Sequence, residues 1–138
     1  MKDVRILYEM DEKFKSSFQS RMGPISKKIS QKYGINLSIH VCDPSESPDL
    51  MKKESWDIIV MHLGNCGFET YLKADCFREQ YKALVVAESS SCEVGLGGEE
   101  VKEHFDDFIG PIYKSSGWYL EALLERKILP WTKNYRED

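Results

Sequence analysis

The chain has 138 residues, 19 of them basic and 23 acidic, for a net charge of -4, and 41% of it is hydrophobic; this is the usual size and make-up of one globular domain. The acidic balance argues against a nucleic-acid partner, which needs a concentrated basic patch. Apolar runs no longer than Ile58–Met61 and Ala83–Ala87 leave no membrane helix to expect.

The four cysteines, Cys42, Cys66, Cys76 and Cys92, form no C-x-x-C pair, and reduced thiols are expected in a chain able to bury an adequate core. The opening MKDVRILYEMD has acidic residues where a secretory signal needs an apolar stretch, so a cytoplasmic location is expected.

Val4–Tyr8 is a first strand, giving way to the acidic residues Glu9, Asp11 and Glu12. Lys13–Tyr33 reads as helix interrupted at Gly23–Pro24, since proline suits a first turn but not an interior; a short piece and then a longer one from Pro24 are expected, with Ile25 and Ile29 facing inward. Gly34 caps that helix, and Ile35–Val41 alternates apolar and polar as a half-buried strand does. The turn-rich Asp43–Pro48 then leads into a short helix near Asp49–Lys53.

Ile58–Met61 runs apolar between Asp57 and His62, as a strand buried on both faces would. His62 opens the loop at its carboxyl end, where open α/β sheets place working residues. Phe68–Tyr81 has helical length, with Tyr71, Leu72, Cys76 and Phe77 near one face, and Ala83–Ala87 is a fourth buried strand. A glycine-rich piece, a helix carrying Val101 and Phe105, a short fifth strand over Phe108–Tyr113 and a last helix with Leu120, Leu123, Leu124 and Ile128 complete the chain. Strand and helix alternate five times, which predicts one α/β domain over residues 1–130, a doubly wound parallel sheet covered on both faces, and a tail over residues 131–138.

The order of elements resembles the receiver domain of bacterial response regulators, a flavodoxin-like fold of strand order 2-1-3-4-5. DDFIGPIYKSSGWYLEALLERK, from Asp106 to Lys127, is similar to the family's closing strand, its Lys-Pro junction and its last helix, and WDIIVMH to its third strand. The resemblance implies a phosphorylation pocket built from two acidic residues after strand one, an aspartate ending strand three, a hydroxyl after strand four and a lysine before the proline of strand five. Carried over, the acidic positions fall on Met10 and Asp11, with Glu12 beside them; the acceptor falls on His62; the hydroxyl falls on Ala87, with Ser89 as stand-in; and the lysine falls on Gly110, next to the retained Pro111.

Loss of the acceptor, the lysine and one metal ligand together removes the charge neutralisation that phosphoryl transfer to a carboxylate needs. The expectation is a non-phosphorylatable pseudo-receiver with no cofactor, no catalytic set and no attached output domain, acting on a signalling protein or on itself as a homodimer. In receivers the face of the last two helices and strand five carries such contacts, which singles out Tyr113, Trp118 and Tyr119. The rival reading is a small ligand-binding protein or enzyme using the crevice around Met10, Asp11, His62 and Asn65. Weaker patterns read as loop: Gly95–Glu99 matches neither dinucleotide nor P-loop spacing, Ser89–Ser91 lacks a nucleophile elbow, and His62, Cys66 and Cys76 match no zinc spacing.

Overall fold

The computed structural model describes residues 2–62, 68–88, 103–109 and 125. The chain runs β1 (Lys2–Glu9), α1 (Glu12–Tyr33), β2 (Ile35–Cys42), α2 (Ser47–Lys53), β3 (Ile58–His62), α3 (Phe68–Glu79), β4 (Leu84–Glu88) and β5 (Asp107–Ile109). The strands form one parallel sheet in the order β2-β1-β3-β4-β5, with Ile6 beside Ile58, Val60 beside Val86 and Val86 beside Asp107. This is the doubly wound order expected from the sequence, and the crossover from β2 to β3 past β1 places a switch point between β1 and β3 at their carboxyl ends.

Two apolar clusters sandwich the sheet. One gathers Tyr8, Phe18, Met22, Ile29, Ile39, Val60 and Val86 beneath α1; the other gathers Leu7, Met51, Met61, Phe77, Val85 and Phe105 beneath α2 and α3. Every β3 residue from Ile58 to Met61 is buried, as a central strand covered on both faces must be. On α3 the buried stripe is Ala74 and Phe77 with Tyr71 packed against it. Leu72 and Cys76, expected on that face, lie outside it, Leu72 being 52% exposed; positions 71, 74 and 77 define a stripe that 72 and 76 do not share.

The expected break at Gly23–Pro24 is absent: α1 is a single 22-residue helix with Pro24 inside it. An interior proline costs about 3 kcal/mol, but Phe18, Met22 and Ile29 are fully buried on one face with Ile25 packed beside them, and each such side chain gains about 1.5–3 kcal/mol by burial. The helical spacing of these four residues runs through the proline without a phase change, and their packing holds the helix continuous across it. Its ends are set by Asp11, which accepts a hydrogen bond from the Lys13 N–H as N-cap, and by Gly34 in the left-handed region at φ 63°.

Lys82, in the turn from α3 to β4, also adopts a left-handed φ of 58°. A β-carbon there is strained by about 1 kcal/mol. Lys82→Gly is therefore expected to raise stability by about 0.5 kcal/mol after the glycine's greater unfolded-state freedom is subtracted, measured as a rise in the urea midpoint.

Candidate functional site

The last residue of β1 dominates the carboxyl end of the sheet. Glu9 is only 1% exposed, yet its carboxylate has every bond a buried charge needs. One oxygen accepts from the backbone N–H of His62 at 3.0 Å; the other accepts from the Ser47 hydroxyl and the Lys73 ammonium, each at 2.5 Å. Lys73 reaches down from α3 and also donates to the carbonyl of Pro44 at 2.9 Å. One carboxylate thus ties together the ends of β1 and β3, the start of α2, the loop before it, and α3.

On the α1 side of the sheet, the His62 imidazole meets Glu88. The two residues are register partners on β3 and β4, and His62 Nδ1 lies 2.9 Å from a Glu88 carboxylate oxygen. The hydrogen bond that His62 Nδ1–H donates to Glu88 raises the His62 pKa; burial opposes it, and the charges of Glu88, Glu9 and Asp11 add to the rise. Tyr8 packs on Phe18 with ring centroids 4.6 Å apart, and burial first, then the Glu88 charge, hold its hydroxyl well above the ordinary phenol range. Burial, with Glu9 second, pushes the Cys42 thiol up to about 12, which leaves it inert as a nucleophile.

The residues singled out in the sequence take separate places. Met10 packs against the α1 cluster, and its N–H extends the β1–β2 ladder by bonding Cys42 O at 2.8 Å. Asp11 caps α1 and Glu12 is exposed in its first turn, while Glu9 is the buried carboxylate at the end of β1. Ala87, set by the sequence at the hydroxyl position, pairs with Met61 and is fully buried beneath α2 and α3, on the face away from His62; the neighbour of His62 is Glu88. Ser89, Gly110, Pro111, Tyr113, Trp118, Tyr119, Asn65 and the tail lie outside the described residues.

Of the residues gathered here, Ser47, Lys73 and Glu88 are not singled out by the sequence, and Glu9 stands there only as one of the acidic residues that end the first strand. A signal existed for two of them: the strands each run one residue further than their apolar cores, so that Glu9 and Glu88 are strand-end carboxylates like the strand-end His62. Lys73 and Ser47 carried none, since a lysine on a helix and a serine in a turn-rich loop are ordinary surface residues until the sheet brings Glu9 beneath them.

A parallel sheet of order 2-1-3-4-5, with polar side chains gathered at the carboxyl ends of β1, β3 and β4, is a flavodoxin-like α/β fold. Solved structures with this fold include an orphan response regulator of H. pylori, 17% identical with a TM-score of 0.65 over 89% of this chain and 94% of that one. A response regulator from Thermotoga maritima is 16% identical, TM-score 0.60, over 91% and 97%. An atypical orphan response regulator described as having a phosphorylation-independent regulatory mechanism is 14% identical, TM-score 0.60, over 89% and 93%. At such identities the likeness is one of fold. No protein-family model and no curated protein matches the sequence. No helix among the described residues is long and apolar enough to cross a membrane.

Proposed function

We propose that this protein is a receiver-like signalling domain that works without phosphorylation, by binding another protein or a second copy of itself. The observation that carries the reading is how charge is settled at the carboxyl end of the sheet. The position expected to accept a phosphoryl group is a histidine paired with Glu88, and the buried carboxylate beside it is already neutralised by Lys73. A receiver that switches on phosphorylation needs an acceptor free to react and oppositely charged groups recruited by the incoming phosphoryl. Here the cations are internal and engaged.

That a solved neighbour of the same fold is described as phosphorylation-independent supports the same direction. The binding surface proposed is the one the sequence singles out with Tyr113, Trp118 and Tyr119. A ligand-binding role for the crevice has less support, because Met10 is packed and Asp11 is used as a cap. A cavity of about 760 Å³ opens instead at the amino ends of β3 and β4, between Trp56, Arg78, Lys82 and Asp106.

Intact mass after incubation with acetyl phosphate and magnesium at pH 7 tests the proposal, with His62→Ala as control. An unchanged mass is expected. A gain of one phosphoryl group, lost in His62→Ala, would overturn it.

A further inference from the structure

β2 forms one edge of the sheet, and an edge strand of a parallel sheet leaves alternate peptide groups pointing away from its neighbour. Cys42 O bonds inward to Met10 N, so the even-numbered residues of β2 face β1 and Leu37, Ile39 and Val41 direct their N–H and C=O groups outward. Eight residues long, INLSIHVC carries neither a charged side chain nor a proline, the devices that usually discourage an edge from pairing with another strand. Its buried side chains alternate with the exposed Asn36, Ser38 and His40, which gives it the regular form of a strand ready to be extended on its open side.

Two side chains of α1 meet that edge. Ser30 Oγ accepts from Leu37 N–H at 3.0 Å. Gln19 does more: its amide nitrogen donates to Ile39 O at 2.9 Å while its amide oxygen accepts from Val41 N–H at 2.8 Å. A residue in a neighbouring parallel strand makes the same pair of bonds, donating to the carbonyl before its partner and accepting from the N–H after it. The Gln19 amide thus stands beside His40 as one peptide group of an absent strand. Gln19 is itself exposed, and two well-formed bonds are what hold it at the edge.

We propose that Gln19, with Ser30, guards the β2 edge against strand pairing with a second copy of this chain. The occupant excluded is another β2: an uncharged, alternating strand is compatible with itself, and a two-fold axis normal to the sheet would set two such edges side by side in antiparallel register with no like charges opposed. An incoming strand would have to give up the two Gln19 bonds to make its own, so pairing becomes favourable only once the amide is gone.

Sedimentation of the full chain, with amide exchange at Val41, tests this. Gln19→Ala is expected to speed exchange at Val41 by about tenfold and to add to the wild-type profile a larger species that grows with concentration. Gln19→Lys removes the same amide but puts a charge at the edge; it is expected to speed exchange as Gln19→Ala does without adding the larger species. Faster exchange with no association in Gln19→Ala would make Gln19 a cap and not a guard, and would overturn the proposal. Equal association in both variants would overturn it too, by tracing self-association to loss of stability rather than to the opened edge. Unchanged exchange and sedimentation in Gln19→Ala would do the same.

Discussion

Lys73→Met is expected to destabilise the protein by about 3 kcal/mol, because it leaves the charge of Glu9 buried with no cation beside it. Glu9 is 1% exposed and the Lys73 side chain 23%, so the carboxylate cannot turn to water, while the ammonium sits near enough to the surface to be resolvated. The asymmetry predicts unequal costs. Glu9→Gln keeps an oxygen acceptor and similar volume and releases Lys73 towards solvent, costing about 1–2 kcal/mol.

The double variant, Lys73→Met with Glu9→Gln, removes the unpaired charge and is expected to be more stable than Lys73→Met alone, a non-additivity that a double-mutant cycle in urea reads directly. A cost below about 1 kcal/mol for Lys73→Met, with additive behaviour in the double, would place the pair in the class of solvated surface bridges and remove the argument that charge at this end of the sheet is internally settled. Because Ser47, Pro44 O and the His62 N–H share the same carboxylate or the same ammonium, the loss would also show as faster amide exchange at His62 and at the start of α2.

The architecture was legible because hydrophobic period and turn residues agree along most of the chain. The unbroken run Ile58–Met61, the alternation through Ile35–Val41 and the Gly34 cap each specify one element, and the five-fold alternation specifies the sheet. The α1 break was misread where a local rule about proline was set above the phase of Phe18, Met22, Ile25 and Ile29, which runs through it. At the site, His62 was legible as a polar residue ending a buried strand. Its partners were not, since side chains 26 and 53 positions away are chosen by register. A one-residue difference in where a strand ends turns its last side chain to the other face, which is why Glu9 and Glu88 lie on the faces opposite their neighbours Met10 and Ala87.

The His62–Glu88 pair should make stability fall with rising pH. Its 2.9 Å contact, between side chains 26% and 14% exposed, raises the pKa of His62 from the ordinary 6.5. A raised folded-state value means that the pair contributes in full below about pH 6.5, where the imidazole is protonated both folded and unfolded. Its contribution is lost as pH climbs through the raised folded value and the folded state gives up its proton. The difference in stability between wild type and His62→Gln is therefore expected to be about 1 kcal/mol at pH 6 and to shrink towards zero as pH rises past the raised folded value, with Glu88→Gln abolishing the dependence in that window. Titration of the imidazole by NMR gives an independent reading: a midpoint at or below 6.5 in the wild type would contradict the pairing. The consequence for chemistry follows from the same proton. An imidazolium has no free lone pair on either nitrogen, so wherever the imidazole is protonated His62 is not a nucleophile. Any phosphorylation of His62 would have to rise with pH and be faster in Glu88→Gln than in the wild type.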